Sequence, residues 1–148
     1  MNIAIASDHT GIDQKAAIVD HLQEQGYSVV DLGPVADDRV DYPDFAEMVA
    51  RSVASGQADA GILICGTGIG MAITANKIAG IRAANATAVA FAALAREHND
   101  ANVITVSARF VDTETNIQIV DAFLTTPFAA GRHTQRVEKI MRFDDAIR

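Results

Sequence analysis

The sequence has few of the features that mark secreted and membrane proteins. It contains one cysteine and no tryptophan in 148 residues, and a single cysteine cannot form an internal disulfide. No segment approaches the run of about 18 apolar residues that a membrane helix needs. The first residues, MNIAIASDH, lack the basic and apolar segments of a signal peptide. We therefore expect a cytoplasmic protein with one domain spanning residues 1–148.

Positive charge is also scarce. The chain has 12 Lys and Arg against 19 Asp and Glu, a formal net charge of -7, whereas nucleic-acid binding needs a basic face. A small phosphorylated ligand is compatible with this charge, because a local basic cluster can lie on an acidic protein. Aromatic residues make up 5% of the chain, which leaves little to stack on a flavin. Neither a nucleic acid nor a flavin is the expected partner.

Short apolar runs alternate with segments of helical spacing. The runs lack polar alternation, which is typical of strands buried on both faces of a parallel sheet; they are 2–6, 27–32, 61–65, 81–85 and 102–107. The helical segments end near 22, 54, 96, 124 and 141; the fourth begins near Ala86 and the last near Arg132. This alternation predicts a doubly wound α/β domain with a five-stranded parallel sheet, helices on both faces and a C-terminal helix. Ligands bind such sheets beyond the carboxyl ends of the strands.

The only cysteine, Cys65, ends the third predicted strand in 61-GILICGTGIGMAI-73. The glycine-rich turn that follows, residues 66–70, presents backbone N–H groups to an anion and favours a thiolate at Cys65. A buried lone cysteine that only packs is the alternative interpretation. The turn is not a dinucleotide fingerprint, which would follow the first strand. It is not a phosphatase loop either, because Met71 and not an arginine comes directly after Gly70.

Two further polar groups adjoin predicted strands. Asp8 and His9 follow the first strand, on the same rim as Cys65, although Asp8 could simply cap the next helix. His98 and Asn99 lie in 96-REHNDANV-103, between the fourth helix and the fifth strand. A solvated histidine in a polar segment is the alternative there.

Arginines near the C terminus form a candidate phosphate site. Arg132 and Arg136 are four residues apart on one predicted helix face, where like charges repel unless an anion lies between them, and arginine suits bidentate phosphate binding. An ordinary solvated helix face is the alternative. Arg109, just after the fifth strand, is a further candidate. Five of the 12 basic residues lie in this tail: Arg132, Arg136, Lys139, Arg142 and Arg148.

Several blocks of the sequence resemble the ribose-5-phosphate isomerase B family, which includes the galactose-6-phosphate isomerase subunits. The matching blocks, in order, are 7-SDHTG-11, 41-DYPD-44, 61-GILICGTGIGM-71, 76-NK-77, 80-GIRAA-84, 96-REHNDANV-103 and 131-GRHTQRVEKI-140. The resemblance implies a metal-free aldose–ketose isomerase of Rossmann-like fold that uses no cofactor. It also implies a homodimer or homotetramer with active sites at a subunit interface.

The resemblance also implies a role for each candidate residue. Cys65 is the base that moves a proton between C2 and C1, with the Thr67 hydroxyl close by. His98 opens the sugar ring, and Asn99 binds the substrate. The remaining positions bind the enediolate, the sugar or the phosphate: Asp8, His9, Gly66, Gly68, Ile69, Gly70, Arg109, Arg132 and Arg136. Some relatives use a glutamate after the glycine turn; Met71 stands there, so this chain is of the cysteine type.

Two segments depart from the family pattern. Asn85-Ala86-Thr87 replaces a polar set containing cysteine and histidine, and 105-TVSAR-109 replaces a glycine-containing approach to the arginine. These departures bear on the identity of the sugar. We expect D-ribose 5-phosphate to be converted to D-ribulose 5-phosphate, with a tetrose or hexose phosphate as the alternative substrate. A non-catalytic sugar-phosphate-binding module is the alternative from another class.

Overall fold

The computed structural model describes residues 1–36 and 38–147, so Arg148 of the basic tail lies outside the described residues. All described strands belong to one parallel sheet in the order β2-β1-β3-β5-β4. The strands are β1 (Asn2–Ser7), β2 (Ser28–Asp31), β3 (Ala60–Cys65), β4 (Ala83–Asn85) and β5 (Val103–Ser107). The predicted five-stranded doubly wound α/β fold is confirmed.

Helices connect the strands and extend past the last one. They are α1 (Ile12–Glu24), α2 (Tyr42–Ala54), α3 (Ile69–Ala75), α4 (Val89–Asn99), α5 (Thr113–Thr125), α6 (Thr134–Met141) and α7 (Asp144–Ile147). The fourth helix begins later than the predicted Ala86, because the Ala86 N–H still bonds to Thr105 of the sheet and Ala88 is extended. The last predicted helix divides at His133 into a 3-10 turn and α6. None of the helices in the described ranges is long and apolar enough to span a membrane.

The two faces of the sheet are covered by different helices. The face formed by Ile3, Ile5, Ile62, Ile64, Ile104 and Val106 packs against α1, α4 and α5. The opposite face, which includes Ala4, Leu63 and Cys65, packs against α2 and α3. The connection after β1 therefore leads to one face and the connection after β3 to the other. Adjacent strands with opposite connections leave a crevice at their carboxyl ends, and this crevice contains Cys65.

Candidate active site

The crevice at the carboxyl ends of β1, β3 and β5 holds a cavity of about 420 Å³. Many of the residues predicted for the sugar site line it: Asp8, His9, Cys65, Gly66, Thr67, Ile69, Gly70 and Arg109. A larger groove of about 910 Å³ lies beside α2. Its lining is mostly aliphatic, and its Arg51 is already paired with Glu47 at 2.7 Å. We therefore take the smaller cavity as the candidate active site.

Cys65 is held in a defined position at the rim of this cavity. Its side chain is on the α3 face of the sheet and the residue is 5% exposed. The Gly68 N–H donates to its Sγ over 3.1 Å. Gly68 has φ +80, and a Cβ there would lie 3.0 Å from the Val106 carbonyl oxygen. Only glycine makes this turn without strain, so the hydrogen bond to the thiol depends on glycine at position 68.

The remaining loop groups face the same space. The Thr67 Oγ1 accepts the Ile69 N–H over 3.2 Å, so its own proton is free to be donated to a ligand. Arg109 lies across the loop, since a Cβ on Gly66 would be 3.3 Å from its guanidinium. The cavity thus combines a thiol, backbone donors and a cation.

Asp8 and His9 form the opposite wall of the cavity. The Asp8 Oδ1 accepts the Thr10 N–H over 2.9 Å and caps the 3-10 turn His9–Gly11. Asp8 therefore does cap the turn, as the alternative interpretation predicted, and it also lines the cavity. The Val40 N–H donates to the His9 Nδ1 over 3.4 Å, which sets the orientation of the imidazole.

Tyr42 is a lining residue that the sequence reasoning missed. Its ring covers Gly70 so closely that a Cβ there would lie 2.5 Å from Tyr42 ring carbons. The only sequence signal was the block 41-DYPD-44, to which no role was assigned. Pro43 explains the local structure, because a proline in the first turn of α2 needs no N–H partner.

The other predicted site residues are at the opposite end of the sheet. His98 and Asn99 form the last turn of α4, which leads to the amino end of β5, whereas Cys65 is paired with Ser107 at its carboxyl end. The five residues of β5 separate the two ends by roughly 13 Å. One chain therefore does not bring His98 and Cys65 together, and the predicted loop position of His98 is wrong.

These distant residues form a second group. The His98 and His133 rings stack with centroids 4.2 Å apart and planes 11° from parallel. Arg132 belongs to the same 3-10 turn as His133, and Arg136 follows in α6. The turn after His98 is fixed by Asp100, whose carboxylate pairs with Arg82 at 3.0 Å and Arg96 at 2.9 Å. Sequence reasoning missed this brace.

His133 makes stability depend on pH. Burial lowers its pKa from 6.5, and the neighbouring His98 and two arginines lower it further. The unfolded chain then binds a proton that the folded chain does not, so stability is lost as pH falls below about 6.5. We expect His133→Phe, which keeps a ring against His98, to show a smaller drop in thermal midpoint between about pH 7.5 and about pH 5.5. Equal drops in both proteins would contradict this role.

Within residues 1–36 and 38–147, no group of three or more His, Cys, Asp or Glu side chains is arranged to hold a metal ion.

Comparison with known proteins gives consistent matches over nearly the whole chain. Residues 3–140 match the family described as Ribose/Galactose Isomerase. The chain is 49% identical over 138 residues to ribose-5-phosphate isomerase B of Escherichia coli, covering 93% of each chain. It is 50% identical over 145 residues to the probable ribose-5-phosphate isomerase B of Mycoplasma genitalium, covering 97% of this chain and 95% of the relative.

Solved structures agree with these matches. Ribose-5-phosphate isomerase B of Clostridium thermocellum superposes with a TM-score of 0.98 at 46% identity and covers 100% of both chains. The Mycoplasma genitalium enzyme, solved with bound ribulose-5-phosphate, gives a TM-score of 0.95 at 50% identity and covers 97% of this chain and 96% of the other.

Proposed function

The chain belongs to the ribose/galactose isomerase family, and from that premise we propose that it interconverts D-ribose 5-phosphate and D-ribulose 5-phosphate. One observation carries the proposal. The chain's only cysteine lies in the strand-end cavity, and its Sγ accepts a backbone N–H of the glycine loop. A base beside backbone donors is what proton transfer next to a carbonyl requires. The whole chain, residues 1–148, serves this one activity.

Substrate binding begins at the two ends of the sugar. Arg132 and Arg136 bind the phosphate through charge-assisted hydrogen bonds. Arg109 contributes a third cation at the mouth of the cavity. His98 donates a proton to the ring oxygen as the bond from C1 to that oxygen breaks, and the anomeric hydroxyl gives its proton to water to leave the C1 carbonyl. Asn99 holds a hydroxyl. Asp8 and His9 line the path of the open chain.

Proton transfer follows in the open-chain sugar. The Cys65 thiolate removes the proton from C2, and the electron pair forms the C1–C2 double bond of an enediolate with its charge on O1. The proton on O2 moves to O1, with the Thr67 hydroxyl beside both oxygens. Cys65 then returns its proton to C1, and the C2 carbonyl forms. Backbone N–H groups of residues 66–70 hold the oxygens while they are charged, and one such donor is worth about 3 kcal/mol of barrier.

A second copy of the chain completes the site. His98 and Arg136 cannot reach Cys65 within one chain, because the length of β5 separates them. A two-fold dimer solves this problem twice, since each copy offers its Cys65 cavity to the partner's His98 and arginines. Exposed apolar side chains are available for contact, including Ile73 beside the cavity at 59% exposure and Phe91 on α4 at 64%. We propose a homodimer, which could pair further into a tetramer.

The compartment follows from the base. A thiolate that must stay reduced suits the cytoplasm, where thiols are kept reduced. The proposed reaction uses no metal or cofactor, because each proton step is assigned to a side chain or a backbone group.

A substrate panel tests the sugar. We expect ribose 5-phosphate to have the highest kcat/KM among ribose 5-phosphate, erythrose 4-phosphate, allose 6-phosphate and galactose 6-phosphate. Each added or missing carbon displaces the phosphate from its arginines when C1 and C2 are at the thiol, and a misplacement of about 1 Å can cost about 100-fold in rate. Ketose formation is the measurement.

The other possible results of this panel each favour an alternative function. Faster turnover of a tetrose or hexose phosphate would assign the chain to a sibling isomerase activity. If none of the four is turned over while ribose 5-phosphate still binds, the chain is a sugar-phosphate-binding module and the proposed activity is wrong.

A further inference from the structure

The two segments that depart from the family pattern meet in space beneath the glycine loop. Asn85 of β4 is paired in register with Thr105 of β5, and Ser107 of β5 is paired with Cys65 of β3. Successive side chains of a strand point to opposite faces of the sheet, and those of Asn85, Thr105 and Ser107 lie on the same face as Cys65. Thr105 and Ser107 are 0% and 1% exposed, whereas Asn85 is on the exposed edge strand.

Each of the three side chains binds one carbonyl oxygen of the glycine loop. Ser107 Oγ donates to the Gly66 oxygen over 2.8 Å, and Thr105 Oγ1 donates to the Gly68 oxygen over 2.8 Å. Asn85 Nδ2 donates to the Thr67 oxygen between them over 3.2 Å. Three consecutive peptide groups are therefore anchored from the sheet side.

A hydrogen bond that fixes a carbonyl oxygen also fixes the direction of the N–H group in the same peptide. A trans peptide is planar, so its C=O and N–H point in opposite directions and turn together. The peptide that joins Thr67 to Gly68 shows the consequence: Asn85 holds its oxygen, and its N–H reaches the Cys65 Sγ at 3.1 Å. By the same geometry, the anchored oxygens of Gly66 and Gly68 direct the N–H groups of Thr67 and Ile69 away from the sheet, where the Ile69 N–H holds the Thr67 Oγ1 at 3.2 Å.

We infer that Asn85, Thr105 and Ser107 are positioning residues, which set the aim of the glycine-loop N–H groups toward Cys65 and the enediolate. The inference rests on the proposed function of that loop. Glycine gives the loop its conformation but leaves it with more freedom than any other residue would. Donors stabilise a developing charge best when they are already oriented. Three side-chain anchors add to that orientation, beside the Arg109 and Ala72 N–H groups that also bind the Gly66 and Gly68 oxygens. A hydrogen bond accepted at C=O also polarises the attached N–H.

Removal of one anchor tests the inference. We expect Thr105→Val, which keeps the shape and loses the hydroxyl, to lower kcat for ribose 5-phosphate about ten- to a hundredfold with KM changed less than about threefold. Thr105→Ser restores the hydroxyl and most of the kcat. Thr126→Val is the matched control, because Thr126 donates to the Ala122 oxygen over 2.6 Å at the end of α5. We expect it to leave kcat unchanged.

A purely structural role for Thr105 gives a different pattern. Thr105→Val and Thr126→Val would both lower the thermal midpoint, and neither would change kcat by more than about twofold. That result would overturn the inference. So would failure of Thr105→Ser to recover the activity lost in a folded Thr105→Val.

Alkylation of the thiol gives a readout that needs no substrate. Cys65 is the only cysteine, so the rate of iodoacetamide modification, measured by mass spectrometry, reports on this thiol alone. We expect Asn85→Ala to slow alkylation about three- to tenfold, because the loop no longer holds the Gly68 N–H against the Cys65 Sγ. Asn76→Ala is the control, because the Asn76 side chain bonds to both the N–H and the C=O of Ala83 in β4 and to no carbonyl of the glycine loop.

The two measurements separate failure of the inference from failure of the proposed function. If the wild type turns over no sugar phosphate, the proposed function is wrong, and the alkylation of Asn85→Ala against Asn76→Ala still decides the inference. Equal alkylation rates in these two variants would overturn it. An isomerase with unchanged kcat in Thr105→Val would overturn the inference alone.

Discussion

Cys65→Ala is expected to lower kcat for ribose 5-phosphate about a thousandfold, because it removes the proposed base for the C2 proton. The loss should appear in kcat more than in KM, since the arginines proposed to bind the phosphate are untouched. Ketose formation and exchange of the C2 proton with deuterated solvent are the two measurements, and both should be lost together.

Cys65→Ser separates the ionised base from the shape of the side chain. Serine is nearly the size of cysteine and can accept the same Gly68 N–H, but its hydroxyl is not ionised near neutral pH. We expect it to be almost as inactive as Cys65→Ala, with an unchanged thermal midpoint. A Cys65→Ala variant that keeps activity within about tenfold of the wild type would remove the thiol from the mechanism, since a general base contributes at least about a hundredfold.

The fold could be predicted from the sequence because buried parallel strands leave a simple signal. Runs such as 61–65 and 102–107 have no polar alternation, and the first two helical segments end just before Gly26 and Gly56. The family was predicted from two long blocks, 61-GILICGTGIGM-71 and 96-REHNDANV-103, and the match over residues 3–140 confirms it. Placement of Asp8 and Cys65 on one rim followed from the rule that parallel strands end at the same edge.

Element boundaries and cross-strand contacts could not be predicted in the same way. The start of α4 depended on Ala86 still bonding to Thr105 in the sheet, and that bond requires the register of two strands. The carbonyl anchors Thr105 and Ser107 are invisible for the same reason, because the loop that they hold is about 40 residues earlier in the chain. Sequence reasoning saw these residues only as departures from a pattern.

His98 shows a different limit. Its sequence neighbours identified it as a candidate, but the sequence reasoning did not use the direction of α4. A helix that leaves the carboxyl end of β4 must return to the amino end of β5, so its last turn is far from Cys65. The separation of His98 from Cys65 within one chain is the reason that we propose a partner copy, and the shared site is the central claim for this enzyme.

An isolated heterodimer tests this claim most directly. One copy carries Cys65→Ala, and the other carries His98→Gln with Arg136→Ala; each variant alone should be nearly inactive. Co-expression with two different affinity tags and purification on both yields only mixed dimers. If each site combines Cys65 of one copy with His98 and Arg136 of the other, one of the two sites is intact, and the heterodimer should have about half the wild-type activity per dimer. An inactive heterodimer, with both copies folded, would show that each site is built within one chain and would contradict the shared site.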